Sequence, residues 1–432
     1  MSKLNLISIG TLFDLEKGSL QSSKCTEGEY TFITAAEEWK THNEYSHECE
    51  ALIFAAAASG SLGRTHYINN KFITSDLCFI LTPKDSKKYP INLKFYHFVF
   101  NSLKDEIVKN TKSGTSKESI NQSNLRNYEI PYFEIDKQNL WIDKLVNTKS
   151  IKEDLELELS TGQSLLKQLK QTILQEAIEG KLTAKYRAKN PDIGTAKELL
   201  EQIKIEKEKL VKDKKIKASK PLAPINENEI PFDVPQNWEW CRLGETGIFE
   251  RGKSKHRPRN DETLFIDGQY PLIQTGDVSQ SKYTNYLINT YNKKYNDFGL
   301  SQSRLWSKGT LCITIAANIA ETGFLNIDAC FPDSVVGFNS IDNTISKLIH
   351  YFLIISKEEI ERFAPATAQK NINLEIINEL YFPLPPLEEQ KEIVATIEKL
   401  FAICDELESE INQNKTTVDN LMATVLKEAF KN

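Results

Sequence analysis

The chain has 432 residues, 40% hydrophobic and 26% charged, with a formal net charge of −6. This is the make-up of a globular protein of two or three domains. Its longest apolar runs, Ala51–Ala58 and Leu311–Ala320, are too short to span a bilayer, and Met1–Gly10 lacks the apolar core and cleavage site of an export signal. The seven cysteines show no C-x-x-C pair and no zinc-ligand spacing, so they read as core thiols in a reducing compartment, the cytoplasm, with no metal site. The acidic balance leaves nucleic acid open as a ligand, because such binding depends on local patches.

In chain order, β-like runs at Ala51–Ala57 and Asp76–Thr82 precede an amphipathic helix near Tyr96–Val108. Next comes an apolar seam at alternating four-three spacing, from Trp141 and Leu145 through Thr148, Lys152, Leu155, Leu159, Gly162, Leu166 and Leu169 to Ile173. That spacing predicts a coiled-coil helix. The connector, Lys181–Pro235, is polar. Thr195 and Glu198 form a capping-box pattern, and the helix they start is predicted to run to about Lys217, before Pro221 and Pro224. Its lysines (Lys204, Lys207, Lys209, Lys212, Lys214 and Lys215) read as a solvated face. A second mixed region follows, with β-like runs at Thr310–Ala316 and Ser334–Ser340 and a helix near Leu348–Phe363. The second seam runs through Ile393, Ile397, Leu400, Cys404, Leu407, Ile411, Asn414, Val418, Leu421 and Val425. Polar stretches interrupt both seams, at Ser160–Gln163 and Asn412–Lys415, predicting two helical segments per half with a bend or register mark between them.

The order recurs because the chain is written twice. A shift that puts Pro131 on Pro383 also puts Gln138 on Gln390, Ile151–Glu156 on Ile403–Glu408 and Leu169–Gly180 on Leu421–Asn432. Upstream the offset drifts, and Ile9–Gly18 matches Leu243–Gly252. The related halves are about 1–180 and 235–432.

One stretch imitates an enzyme. Gly247–Ser254, "GIFERGKS", fits the G-x-x-x-x-G-K-S pattern of a phosphate loop. Of that pattern only Gly18, opposite Gly252, survives in the first half, and Pro258 stands where the required helix would begin. The match is therefore read as chance, with a nucleotide-hydrolysing enzyme kept as an alternative. No H-E-x-x-H, G-x-S-x-G or metal-ligand cluster is present, and the only adjacent prolines, Pro385-Pro386, do not form a base-methylating loop. No catalytic residue is proposed.

The best binding candidate is the same loop. Arg251, Lys253, Lys255, Arg257 and Arg259, with His256 among them, put five cations in ten residues without an acid. In a loop, such cations can reach phosphates or base edges, although a solvated basic turn has the same composition. Further DNA-binding candidates are Arg64, His66 and Lys71; Lys112, Ser113, Thr115 and Lys117; Gln274 and Thr275; Arg304; and Gln369, Lys370 and Asn371. These residue types pair with base edges and are also ordinary turn residues.

Tyr381–Glu408, "YFPLPPLEEQKEIVATIEKLFAICDELE", resembles the C-terminal conserved region of the specificity subunit of type I restriction–modification enzymes. Leu169–Thr183 and Ile230–Glu245 resemble its central conserved region. The resemblance implies an α+β fold: two globular mixed α/β target recognition domains separated by long antiparallel coiled-coil helices, with a pseudo-twofold internal repeat. The expected divisions are 1–137 and 235–387 for recognition domains, 138–234 for the central helical region and connector, and 388–432 for the C-terminal helix. It also implies a subunit without catalysis that reads a bipartite site on double-stranded DNA, one half-site per domain. Each conserved region would dock a modification (methyltransferase) subunit, with Leu169, Ile173, Leu384, Pro385, Pro386, Leu387 and Gln390 as partner-binding residues. Two motor-nuclease restriction subunits are further expected partners. S-adenosylmethionine, ATP and Mg would belong to partner subunits, leaving no cofactor in this chain. In the first half, "PLPPLEEQ" is degraded to "PYFEIDKQ" (Pro131–Gln138), so the two docking sites are expected to be unequal. A coiled-coil protein scaffold without DNA binding is the structural alternative.

Overall fold

A computed structural model describes residues 5–57, 60–113, 118–218, 221–362 and 372–431. The chain divides into two compact units, one running to Gln163 and resuming at Ser409, the other spanning Ser164–Glu408.

The first unit is built on a six-stranded sheet. Its strand order is Phe13–Lys17, Cys78–Pro83, His47–Ala55, Thr65–Thr74, Tyr30–Ile33 and Lys40–His42, antiparallel except where Tyr30–Ile33 runs parallel to Thr65–Thr74. Alternation along His47–Ala55 sends Leu52 and Phe54 to one face and Ala51, Ile53 and Ala55 to the other. Both faces are covered: Leu52 and Phe54 join the core under the Leu93–Ser102 helix, and the other three form a second cluster with Ile68 and Ile80. That is why this strand reads as a continuous apolar run. Asn92 caps the Leu93–Ser102 helix, accepting from the Phe95 N–H at 3.2 Å. Phe13 packs edge-on against Tyr96 and Phe100, with centroids 5.6 and 5.7 Å apart. Leu426, from the Leu421–Lys431 helix, is buried in the same core. The end of the chain thus completes its first domain.

Among the described residues the second unit carries two larger sheets and one two-stranded pair. The five-stranded sheet has the order Ile248–Arg251, Val335–Asn339, Leu311–Thr314, Thr322–Leu325 and Leu287–Ile288; the four-stranded one has Lys293–Tyr295, Tyr270–Leu272, Ala329–Cys330 and Leu305–Trp306. The Asn343–Arg362 helix buries Ile345, Leu348, Ile349 and Leu353.

The repeat is visible bond by bond. Ile9 N–H donates to Tyr128 O at 2.8 Å, and Leu243 N–H donates to Leu380 O at 2.8 Å. Leu6–Ser8 pairs with Glu129–Pro131 as Glu239–Arg242 pairs with Tyr381–Leu384. Asn121 and Asn373 cap corresponding short helices, accepting from Asn124 N at 2.7 Å and Ile376 N at 2.8 Å. Gly10 lies against Arg126 and Gly244 against Asn378, where a Cβ would be tight at 3.0 Å and crowded at 2.6 Å respectively. Gln138 and Gln390 are buried at the starts of the long helices, donating to the carbonyls of Phe133 (2.6 Å) and Pro385 (2.8 Å). Each glutamine ties its helix to the strand that enters it.

Those helices, Ile135–Ile178 and Leu387–Asp419, are continuous. Of the bend or register mark expected at Ser160–Gln163 and Asn412–Lys415, no break in either helix occurs there; the separate segment of the second half starts only at Leu421. The polar residues face one another instead: Gln163 Nε2 lies 3.4 Å from Asn412 Oδ1, and a Cβ on Gly162 would sit 3.5 Å from Ile411. They mark register without bending the backbone. Within the second unit Lys170 bridges Asp405 and Glu408 at 2.8 and 2.9 Å. The first helix ends at Gly180 (φ +72°), with Lys181 N–H returning to Glu176 O at 2.8 Å.

The connector helix is Ala196–Lys212, with both bonds of the Thr195–Glu198 capping box formed at 3.3 and 3.0 Å. It stops before Lys217 because Lys214 adopts φ +58° and Lys215 N–H closes onto Leu210 O at 2.9 Å. Lys207 leaves the solvated face, donating to Gly244 O at 2.8 Å, and burial lowers its pKa. All seven cysteines are free. Among the described residues no helix is long and apolar enough to cross a membrane.

Candidate nucleic-acid interface

The loop from Gly252 to Asp261 leaves the Ile248–Arg251 strand and is held by its backbone. Gly252 N–H donates to Val335 O at 2.9 Å, Lys253 N–H to Phe331 O at 3.1 Å and Lys255 N–H to Gln302 O at 3.1 Å. A Cβ on Gly252 would lie 2.3 Å from Phe331 O. The glycine is there for this close approach to a neighbouring chain segment. A phosphate loop needs free amides at a helix N-terminus. Here three amides are spent on carbonyls, and the next element is a short 3₁₀ turn, Glu262–Leu264. No nucleotide cradle exists at this place.

With the backbone occupied, the side chains are what the loop presents. Lys253 and Lys255 are exposed, and among the described residues their ammonium groups have no partner. Arg251 gives its Nε–H to Asp333 O at 2.9 Å, and Arg257 gives one Nη to the carbonyls of Ser254 (2.6 Å) and His256 (2.8 Å). These bonds brace two guanidinium groups and leave other N–H donors outward. Arg259 differs, because Asp333 takes it in a two-oxygen contact at 2.7 and 3.0 Å. His256 also faces inward: its Nε2 meets Asp261 Oδ2 at 2.8 Å, and that contact with the Thr263 hydroxyl holds the Asp261 carboxyl down at about 2.

The other candidates fare unevenly. Arg304 is committed to an ion pair with Glu250 and stacks 4.1 Å from the Trp306 ring centroid. Gln274 is exposed at the start of the Thr275–Gln280 helix, where its N–H donates to Asp277 at 2.8 Å; Thr275 is half-buried. In the first unit, Arg64 ties loops together through Ala35 O and Ser61 Oγ, both at 3.2 Å. His66 is buried and accepts the Trp39 indole N–H at 3.3 Å, with burial lowering its pKa, so its ring is not offered to a ligand. Lys71 lies 3.8 Å from Glu48 and over the Tyr45 ring, and Lys112 pairs with Glu118 at 2.6 Å. Ser113 donates to Ser119 O at 3.3 Å. Thr115, Lys117, Gln369, Lys370 and Asn371 lie outside the described residues.

Of the expected partner-binding residues, Ile173, Leu384, Pro385, Pro386 and Gln390 are buried within the chain. They hold the helix entries. Leu169, 45% exposed, and the half-buried Leu387 are what that set leaves at the surface.

The sequence reading passed over the neighbour of the cationic loop. Asn260 shares an open pocket of about 620 Å³ with Asn292, Lys293 and Lys294. These lysines went unremarked because they sit in a tyrosine- and asparagine-rich run instead of a basic cluster.

A family profile described as "Type I restriction modification DNA specificity domain" matches residues 1–160 and again 235–414. The chain belongs to that family. The two matched segments coincide with the two halves related by the repeat. Among relatives, the type I restriction enzyme EcoEI specificity subunit of Escherichia coli is 30% identical over 271 residues, covering 60% of this chain and 44% of that protein. The EcoAI subunit is matched over the same 44% of its length. The EcoDI specificity subunit of Escherichia coli is 23% identical over 429 residues, 98% of this chain and 87% of that one. A chain from a structure of the type I R-M system superposes with a TM-score of 0.70 at 14% identity, covering 100% of this chain and 99% of its own. The HsdS subunit from Thermoanaerobacter tengcongensis gives 0.57 at 16% identity, covering 100% and 97%. At these identities the likeness is one of fold: mixed α+β, with the specificity domain present twice.

Proposed function

We propose that this chain is the non-catalytic DNA-reading subunit of a type I restriction–modification complex. Each recognition domain takes one half of a bipartite site, and the helices dock two adenine methyltransferase subunits. S-adenosylmethionine, ATP and Mg then act in partner subunits, motor-nuclease subunits join as further partners, and the complex works in the cytoplasm. The observation that carries the reading is the duplicated framework, above all the matched pairs Ile9–Tyr128 with Leu243–Leu380 and Gln138 with Gln390. A chain that frames two domains in the same way is suited to a duplex, whose backbone repeats its own geometry. The outward Lys253 and Lys255 supply phosphate contacts in the second domain.

Docking is proposed to be unequal. The second half keeps "PLPPLEEQ", and where it buries Pro386 the first half carries an exposed Glu134, although the residues before both are buried alike. At limiting methyltransferase, native mass spectrometry is expected to find this site filled first; equal occupancy would contradict the inequality. The DNA reading is tested by titrating a labelled duplex with the full chain, alone and with its methyltransferase, at several salt concentrations. Affinity falling with salt supports it, whereas no salt-dependent binding in either form returns the protein-only scaffold.

A further inference from the structure

Val278–Asn296 contains three lysines, four tyrosines and no acid. Tyr283, within it, is 80% exposed, more than any other large apolar side chain among the described residues. A single exposed apolar residue is ordinary, but this one sits on a short 3₁₀ turn, Ser281–Thr284, that is braced by hydrogen bonds. Ser281 Oγ donates to Val278 O at 2.7 Å and Thr322 O at 3.2 Å. Thr284 Oγ1 bonds Leu287 O at 2.7 Å, and Tyr286 N–H returns to Ser281 O at 2.7 Å. Asn285 and Tyr286 both take left-handed backbone conformations, φ +51° and +58°, which side-chain-bearing residues adopt at a cost. The Tyr286 ring is packed edge-on against buried His350, centroids 4.4 Å apart. The Lys282 ammonium lies over the exposed ring, 5.1 Å from its centroid. The far end of the same acid-free segment, Asn292–Lys294, shares a pocket with Asn260 of the cationic loop.

An exposed aromatic ring with a cation over it, in a stretch of sequence without an acid, fits a stacked base and the phosphate next to it. Nearby acids are Glu321 and Asp405, facing Tyr286, and Glu262, lining the shared pocket. A protein partner could also use an exposed tyrosine, but three lysines with no intervening acid favour a polyanion. A methyltransferase must draw its target base out of the duplex, which leaves unstacked base faces for side chains to cover.

We propose that Tyr283 is a DNA-contacting residue of the second recognition domain, stacking on an unstacked base while Lys282 meets the adjoining phosphate. This rests on the DNA-reading function proposed above. The test is a fluorescence-anisotropy titration of the full chain with its methyltransferase, using a labelled duplex that carries the host's methylation motif. Tyr283→Ala is expected to weaken binding about tenfold with an unchanged salt slope, because stacking is not a counterion effect, and Tyr283→Phe to retain affinity. Lys282→Ala should lower the slope by about one. Binding by Tyr283→Ala within about twofold of wild type, with wild type binding in a salt-dependent way, overturns this inference alone. So does a loss traced to weaker methyltransferase association in native mass spectrometry. Absence of salt-dependent binding by the wild type overturns both readings.

Discussion

The Trp238 indole N–H donates to Oε2 of Glu389 at 2.9 Å, at a carboxylate with no solvent exposure. Thr183 Oγ1 donates to the other oxygen at 2.8 Å, Arg187 forms an ion pair with it, and Asn237 Nδ2 lies 3.3 Å from Oε2. Arg187 also gives an Nη to Gly180 O at 3.0 Å. One buried carboxylate thus joins the end of the first long helix, the connector, the entry to the second half and the start of the second long helix. The repeat places Lys137 at the equivalent position, so the first half has no such joint.

Removing one partner of a buried pair leaves the other charge without compensation. Glu389→Ala is therefore expected to destabilise the second unit by about 3 kcal/mol in urea unfolding. Trp238→Phe, which removes one hydrogen bond to a charged group, should cost about 2 kcal/mol. A change under about 0.5 kcal/mol for Glu389→Ala would show that the carboxylate is not a joint.

Two glycines in the first helical region should respond with opposite signs. Gly162 lies mid-helix, where a Cβ meets Ile411 at an ordinary 3.5 Å, so Gly162→Ala should stabilise by about 0.5–1 kcal/mol. Gly180 has φ +72°, and a Cβ there would lie 2.6 Å from Pro235. Gly180→Ala should destabilise by more than about 1 kcal/mol. Thermal unfolding of both variants, read by circular dichroism, checks the pair.

Acid should weaken the fold at two buried histidines. Burial lowers His97 in the first unit to about 4 and His350 in the second to about 3. Each is held neutral when folded and takes a proton more readily when unfolded, so its contribution is complete above about pH 6.5. It is lost as pH falls from there through the folded value. The drop for His97 corresponds to about 3 kcal/mol, spent between about pH 6.5 and 4. Melting temperature against pH should fall across this window, and less steeply in His350→Phe; an equal slope in that variant would remove His350 from the account.

The cationic loop should divide by side chain. Lys253→Ala with Lys255→Ala should lower the salt slope of duplex binding by about two and leave unfolding unchanged. Arg259→Ala, whose guanidinium is held by Asp333, should shift the slope by less. No variant should alter nucleotide binding, because three amides of the wild-type loop are spent on carbonyls and no helix N-terminus follows it.

Much of the architecture was legible because the apolar spacing that makes a helix or strand is local, and so is the repeat. The seam from Ile393 to Val418 lies in one helix, and the capping box at Thr195 forms where the residues place it; Leu421 and Val425 fall in a separate helix. Of the two readings of Ser160–Gln163 and Asn412–Lys415, a bend or a register mark, the register mark fits, because a polar seam residue need not break a helix when an equivalent residue faces it. Site residues were less legible for a different reason. Arg64, His66 and Arg304 have the chemistry of DNA contacts, but Ser61, Trp39 and Glu250 consume it, and pairings across the fold leave no local signature. Pro385 and Gln390 belong to a motif that builds a helix entry, where both are buried. Glu389 passed unnoticed among the acids of "PLEEQ", since its four donors come from segments far away in sequence.

The central claim, that this chain chooses where its complex methylates DNA, is tested most directly by mapping N6-methyladenine in the host with the gene intact and deleted. The account predicts that one motif, two short half-sites with a fixed gap, loses its methylation on deletion and regains it when the gene is restored. A map unchanged by deletion, in a host where the neighbouring methyltransferase is expressed and active, would contradict it.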